Sequence, residues 1–286
     1  MRKLVTVFAL AIVLTSCNKK QENSTEPSAD SSEAKIERIV SLSGAITETL
    51  DALDYSDAIV GVDVTSTYPE GLKDKVTDLG HVRSITAESI LALQPTLVFG
   101  TTKDVNPELN ELLKKANIPF VLIDQEFSVD GTKKLITDVA KNLNKENYQP
   151  LLDHISNEIA TVKSFENKPK VLFIYARGAG NLMVAGQGTP LHSMIELAGA
   201  ENAAAALTDF KPLTPEALLT SNPDVILMFD SGFQSIGGME GLLKIEGIAA
   251  TNAGKNKKVV AMDGQFLSGF GPRLGEAVVE LHNKLQ

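Results

Sequence analysis

Ile85-Thr86-Ala87-Glu88-Ser89-Ile90-Leu91, followed by Pro95-Thr96-Leu97-Val98, returns later in the chain as Leu213-Thr214-Pro215-Glu216-Ala217-Leu218-Leu219, followed by Pro223-Asp224-Val225-Ile226. The offset is 128 residues throughout, as from 86 to 214 and from 95 to 223. In each copy a threonine precedes a short helical stretch, where its hydroxyl can cap the first free amides. A proline then leads into an apolar run of strand length. Equal spacing across four features predicts two related lobes.

The chain around these segments follows the same grammar. Arg38–Leu42, Ala58–Val62, Thr96–Gly100 and Phe120–Ile123 read as strands, and Lys170–Ile174, Asp224–Phe229 and Lys258–Ala261 read as a second set. Gly44–Leu53 reads as a helix, with Ile46, Leu50 and Leu53 at i, i+4 and i+7, and Pro107–Ala116 as another. Strands spaced by helices imply right-handed crossovers and mostly parallel sheets. Between the two sets, 130–165 reads as helical, with Leu151, Ile155, Ile159 and Val162 on one face. A helix from Tyr148 to Phe165 would run roughly 27 Å at 1.5 Å per residue, with Pro150 in its first turn. The expected fold is α/β. Two Rossmann-like lobes (35–142 and 169–286) with mostly parallel sheets are joined by one long helix (143–168). A ligand cleft lies between them, and it changes by small tilts.

The N-terminus reads as an export signal: Arg2 and Lys3, then an apolar core from Leu4 to Leu14 that is too short to span a bilayer comfortably. Leu14-Thr15-Ser16-Cys17 resembles a bacterial lipoprotein cleavage box, which implies loss of residues 1–16 and lipidation of Cys17, the one cysteine in the chain. Residues 18–34 are polar and read as a flexible tether. The expected location is the periplasm or an extracytoplasmic membrane face, with lipid anchoring. The full chain has formal net charge −9. Removing Arg2 and Lys3 with the signal gives 25 − 36 = −11, which argues against nucleic acid as a main partner. Any anionic ligand must be held by locally placed arginines.

Tyr68 follows the strand Ala58–Val62 in the polar run Thr65-Ser66-Thr67-Tyr68-Pro69, and the proline biases it toward extended geometry on a loop. Two readings stay open: a half-buried ring with its hydroxyl hydrogen-bonded, or a phenolate ligand to ferric iron supported by a nearby cation. Arg83 lies downstream. Thr189-Pro190-Leu191-His192 reads as the start of a helix, whose dipole disfavours imidazolium and leaves His192 neutral and able to coordinate iron. The alternative is a plain cleft or surface histidine. His154 and His282 read as solvent-facing. Met183, Met194, Met228, Met239 and Met262 read as core rather than as ligands. No G-x-S-x-G, H-E-x-x-H or Walker loop occurs, and Gly269-x-Gly271-x-x-x-Gly275 is not the full dinucleotide fingerprint. Four scattered histidines and one cysteine do not make the usual structural zinc site.

Arg38-Ile-Val-Ser-Leu42, Thr86-Ala-Glu-Ser-Ile-Leu-Ala-Leu-Gln-Pro-Thr-Leu-Val98 and the lipoprotein start resemble the helical-backbone class of ABC-importer solute-binding proteins, which carry siderophores, corrinoids and haem. Asp63-Val-Thr-Ser-Thr-Tyr-Pro69, Leu79-Gly-His-Val-Arg83, Met183-Val-Ala-Gly-Gln-Gly-Thr-Pro190, Leu197-Ala-Gly-Ala-Glu-Asn202 and Gly269-Phe-Gly-Pro-Arg273 are most similar to its haem-binding members. The resemblance covers about Lys35 to the C-terminus. It implies haem b as transported ligand, Tyr68 as axial ligand, and Arg83, Arg273 and, less directly, Arg177 as partners of phenolate and propionates. His192 and His81 are candidates for a second ligand or the cleft wall. His81 stands where an aromatic or apolar residue is expected, and it also suits a turn cap. The resemblance further implies docking to an ABC permease and ATPase complex through Glu108 or Glu111 in the first lobe and Glu240 in the second, Glu240 being one repeat offset beyond 112. A monomeric, non-enzymatic carrier is expected. The alternative cargo is a ferric siderophore or corrinoid, neither of which needs a tyrosine at position 68. A haem-processing or hydrolytic enzyme would need an acid–base pair, for which no motif is found.

Overall fold

The computed structural model describes residues 37–178, 180 and 182–286. The signal peptide, Cys17 and tether lie outside the described residues. The first lobe contains β1 (Ile39–Ser41), α1 (Gly44–Ala52), β2 (Ile59–Val62), β3 (Thr77–Asp78), α2 (Ala87–Leu91), β4 (Leu97–Thr101), α3 (Pro107–Lys115) and β5 (Phe120–Ile123). Two helices follow, α4 (Val129–Asn142) and α5 (Gln149–Ala160). The second lobe contains β6 (Lys170–Ala176), β7 (Leu182–Ala185), α6 (Pro190–Leu197), β8 (Glu201–Asn202), β9 (Phe210–Pro212), α7 (Pro215–Ser221) and β10 (Val225–Phe229). It continues through α8 (Asp230–Ser235), α9 (Gly238–Leu243), α10 (Asn252–Asn256), β11 (Val259–Met262), α11 (Gly264–Ser268) and α12 (Leu274–Leu285).

The internal echo is structural. β4 and β10 coincide at both ends under the offset of 128, from 97 to 225 and from 101 to 229. Thr86 caps α2 by accepting from the Ser89 amide (3.3 Å), and Thr214 caps α7 by accepting from the Ala217 amide (3.1 Å). Each hydroxyl satisfies an amide that has no partner within its helix. The first sheet, in the order β3-β2-β1-β4-β5, is parallel throughout. The second has the order β11-β10-β6-β7-β9, with β8 also on β6. Its β6, β8, β10 and β11 pair in parallel, but β7 runs antiparallel to both β6 and β9. The sequence reading lacked β7 and β9, and also the two-residue strands β3 and β8. The connection from β6 to β7 is too short for a helical crossover, so the chain turns back on itself as a hairpin.

The connector also differs from the expected single rod. α4 stops at Asn142, with Asn144 in the left-handed region (φ 53°). α5 holds Pro150 in its first turn as expected, but its twelve residues span only about 18 Å. It ends where the Thr161 hydroxyl donates to the Glu158 carbonyl (2.7 Å). Its stiffness is shared with α12, which packs along it at close range. A Cβ on Gly275 would lie 2.6 Å from Glu158 Cβ and 3.1 Å from the Ile155 carbonyl, so only glycine permits this approach. α12 also buries His282, which is 5% exposed rather than solvent-facing. His282 Nδ1 sits 3.0 Å from the Ala198 carbonyl, Nε2 lies 3.1 Å from the Gln286 amide nitrogen, and the ring packs on Phe165. One buried core runs from the first sheet (Phe99) through α4 and α5 (Leu135, Ile155) to the second sheet and α12 (Phe173, Leu227, Val278). Among the described residues no helix is long and apolar enough to cross a membrane.

Candidate ligand site between the lobes

In parallel α/β sheets, ligands bind beyond the carboxyl ends of the strands. Here those ends supply the Tyr68 loop after β2, Gln125 after β5, Asp230 after β10 and Asp263 after β11.

A buried polar network holds the Tyr68 loop. Asp63 is 1% exposed and accepts from the Thr65 amide (3.2 Å), the Thr65 hydroxyl (2.7 Å) and the Ser66 hydroxyl (2.8 Å). Thr65 Oγ1 in turn accepts from the first amide of α1, on Gly44 (2.9 Å). The Ser66 and Thr47 hydroxyls are 2.7 Å apart, and Thr47 donates to Ser41 (2.8 Å). Burial pushes the Asp63 carboxyl pKa up, and the hydrogen bonds from Thr65 and Ser66 offset that only in part. The loop is thereby tied to β1 and α1, and the Tyr68–Pro69 peptide within it is cis. Tyr68 itself is half-buried, and among the described residues no hydrogen bond reaches its hydroxyl.

Arg273 comes from the other half of the chain and sits over this ring. Its guanidinium carbon is 3.8 Å from the Tyr68 centroid and 4.9 Å from that of Phe266. A two-pronged pair with Glu48 fixes the guanidinium: Nη2 to Oε1 at 2.6 Å and Nε to Oε2 at 3.0 Å. Glu48 is 4% exposed on α1, and burial pushes its carboxyl pKa up while Arg273 opposes the shift. Burial works against the Arg273 charge, but the hydrogen bonds and charge of Glu48 outweigh it and push the guanidinium pKa up. Gln265 Nε2 lies near enough to favour ionised Glu48, yet it is outside hydrogen-bond geometry and is buried without a partner among the described residues.

The loop before α12 is anchored on the first lobe. Gln125 donates to the Gly269 carbonyl (2.9 Å) and Thr132 to the Phe270 carbonyl (3.2 Å). Phe270 is fully buried edge-on to Phe127 (5.4 Å), with its backbone at φ 52°, a left-handed conformation that costs on the order of 1–3 kcal/mol. Gly271 passes so close to α1 that a Cβ would lie 3.3 Å from Glu48 Oε2.

A cavity of about 670 Å³ opens on this arrangement, lined among others by Tyr68, Met262, Phe266 and Arg273. Glu70, Asp230, Asp263, Glu276 and Glu280 also line it, with Arg273 and Lys284 as its cations. A smaller space of about 250 Å³ lies between the same lobes, at Lys103, Gln125, Phe127, Thr189 and Phe210. A more apolar cavity of about 410 Å³ at Leu172, Val184 and Leu213 holds none of the sequence-predicted site residues.

Of the sequence-predicted set, the structure brings Tyr68 and Arg273 together. Arg83 is exposed on a 3-10 turn, and His81 caps that turn by accepting from the Arg83 amide (3.3 Å). Arg177 is exposed after β6, 5.8 Å from the Tyr175 ring centroid. His192 Nδ1 is 3.1 Å from Asn202 Nδ2, and its Nε2 is 3.6 Å from Glu196. Because Asn202 donates there, Nδ1 is the acceptor and Nε2 carries the proton. None of these four lines the Tyr68 cavity. Glu108 and Glu111 are exposed on α3, and Glu240 is exposed on α9. Sequence reasoning missed Glu48, Phe266 and Asp63. The only signal was an acidic residue inside the fully buried run of α1, and that burial is itself a tertiary property.

Residues 39–266 match the model of the periplasmic binding protein family. The chain belongs to that family. The periplasmic heme-binding protein RhuT from Roseiflexus sp. RS-1, in apo form, is 39% identical, with TM-score 0.84 over 87% of this chain and 98% of that one. The periplasmic heme-binding protein BhuT in complex with two hemes is 35% identical, with TM-score 0.80 over 87% and 97%. Among curated relatives, the uncharacterized ABC transporter substrate-binding lipoprotein YvrC of Bacillus subtilis (strain 168) is 29% identical, covering 85% of this chain and 78% of YvrC. The vitamin B12-binding protein of Vibrio vulnificus (strain YJ016) is 26% identical over 71% of this chain and 75% of its own length. This periplasmic binding protein is thus a substrate-binding component of an ABC importer, in a family of binding proteins rather than enzymes.

Proposed function

We propose that this periplasmic binding protein carries ferric haem, haem b, with the Tyr68 oxygen as axial iron ligand. One observation carries the reading: a half-buried loop tyrosine of the first lobe lies under the guanidinium of Arg273 from the second lobe, which Glu48 holds in place. A phenol that binds ferric iron does so as the anion, and Arg273 sets a fixed positive charge against the Tyr68 ring. Phe266 offers apolar surface to a porphyrin face. The names of RhuT and BhuT support the same ligand. Acidic residues crowd this cavity and would disfavour propionates there, and the exposed Arg83 and Arg177 are the proposed partners. A second iron ligand at His192 requires it to give up Asn202 and Glu196, and His81 serves the cleft only if it leaves its cap.

The carrier is tethered outside the cytoplasm by lipid on Cys17 and acts as a monomer. It passes its cargo to an ABC permease and ATPase complex, docking through Glu108 or Glu111 and through Glu240.

The test is a titration of a form lacking residues 1–17 with ferric haem, beside Tyr68→Phe. A saturable high-spin tyrosinate spectrum that disappears in Tyr68→Phe is expected. Binding no tighter than to an unrelated protein overturns the reading. The second reading, a corrinoid, is favoured by the vitamin B12-binding relative and by an acidic cavity that repels propionates. Cyanocobalamin in the same titration, and ferric siderophores after it, separate these cargoes.

A further inference from the structure

We propose that Glu48 is a positioning residue for ligand binding at Tyr68. It acts through Arg273 and fixes the plane and height of the guanidinium over the tyrosine ring. The inference rests on the haem reading and deepens it.

Four observations converge on Glu48. It sits on α1 in the first lobe, 225 positions before Arg273, yet both its oxygens are engaged by that one side chain. The pair is two-pronged, so it specifies the orientation of a planar group as well as its distance. The guanidinium then lies 3.8 Å from the Tyr68 centroid, which is stacking contact. Gly271 brings the backbone against the same carboxylate, where a Cβ would stand 3.3 Å from Oε2, so the space around Glu48 is built for this grip. Arginine has several rotatable bonds, and without the carboxylate its head would sample the open cavity rather than one face of the ring. The charged and polar groups facing the pair are Tyr68, Asp263 and Gln265. None of them engages both guanidinium nitrogens as Glu48 does.

Residues that orient a metal ligand from outside the coordination sphere typically change metal affinity about 10–100-fold when replaced. Glu48→Gln keeps the shape, removes the charge and leaves a partly exposed arginine that water can reach. It is expected to release haem about tenfold faster and to shift the tyrosinate charge-transfer band, with Glu48→Asp between it and the wild type. Arg273→Lys keeps the positive charge but has no fork and does not stack, so it should reproduce the Glu48→Gln spectrum and rate. It also serves if Glu48→Gln folds poorly. The measurements are transfer of haem to apomyoglobin by stopped flow and the visible spectrum of each complex, beside thermal midpoints.

A wild-type spectrum and release rate in Glu48→Gln or in Arg273→Lys overturns the proposal. So does a lowered thermal midpoint with spectrum and rate unmoved, which marks Glu48 as structural only. A wild-type protein whose spectrum is unaffected by Tyr68→Phe overturns the Tyr68 reading instead and takes this proposal with it.

Discussion

Arg273→Ala should strand a buried charge, and the structure sets the size and pH dependence of the loss. Glu48 is 4% exposed, and Arg273 holds both its oxygens. Removing one partner of a buried pair costs about 3–5 kcal/mol, because the remaining charge stays desolvated. The Arg273 side chain is 23% exposed, so water enters the space it leaves, and the low end of that range, about 3 kcal/mol, is expected at pH 7. For a chain of this size each kcal/mol lowers the thermal midpoint by about 2–4 °C, which makes the drop about 6–12 °C. Burial already raises the Glu48 pKa above 4.5 with Arg273 present, and losing Arg273 raises it further. A carboxyl whose folded pKa is raised contributes stability that is present below its unfolded pKa and lost as pH rises through its folded pKa. The deficit of Arg273→Ala should therefore be full at neutral pH and shrink as pH falls toward 4.5. Glu48→Gln/Arg273→Ala leaves no stranded charge and should recover most of the loss. Circular-dichroism melts of the wild type and both variants at pH 7 and pH 5 measure this. An equal deficit at both pH values, or a double variant as unstable as Arg273→Ala, would refute the reasoning.

Asp63→Ala leaves the Thr65 amide and the Thr65 and Ser66 hydroxyls without their acceptor. A loss of about 1–3 kcal/mol is expected, with faster amide hydrogen exchange confined to the Tyr68 loop. Phe270→Ala empties a fully buried site and should cost about 3–5 kcal/mol in urea melts. Thr86→Ala and Thr214→Ala should each cost about 1 kcal/mol, and their sum should hold in the double variant because the two caps lie in different lobes. Gly275→Val presses a side chain into Glu158 Cβ at 2.6 Å, and the midpoint should fall by the equivalent of about 1–3 kcal/mol.

Local signals were the most legible. The two threonine caps, the proline before each buried strand and the apolar runs are written within a few residues of where they act. They correctly placed β1, β2, β4, β5, β6, β10 and β11. β7 and β9 escaped because a hairpin beside parallel strands is set by which edge of β6 remains free, and no periodicity in Leu182–Ala185 encodes that. His282 was misread because its charged sequence neighbours suggested solvent, whereas α12 is covered on that side by Ala198 and Phe165. The long connector was overestimated because apolar spacing continued to Val162 after the helix itself had stopped at Ala160. Tyr68 and Arg273 were visible as a tyrosine in a polar strand-end loop and an arginine in a glycine-rich helix entry. Glu48 was not. A carboxylate on an amphipathic helix reads as solvent-facing until the second lobe covers it.

That covering residue explains why the site is more than the sum of two loops. Tyr68 and Glu48 belong to the first lobe, tied through Thr65, Ser66 and Thr47 to β1 and α1. Arg273 enters at the head of α12, which is packed through Gly275 onto the connector and through Phe270 onto the first lobe. A tilt of the second lobe large enough to withdraw Arg273 from the tyrosine ring must also part it from Glu48, and the same motion leaves that carboxylate without its cation. The closed arrangement is therefore favoured by the ion pair whether or not anything fills the cleft, and the shared core limits how far thermal motion opens it. An external force that separated the lobes would weaken the hold on the Tyr68 oxygen at the moment it broke the pair. Stability at Glu48 and grip at Tyr68 are thus coupled through one guanidinium, which is why the melts of Arg273→Ala and the release rates of Glu48→Gln report on the same contact.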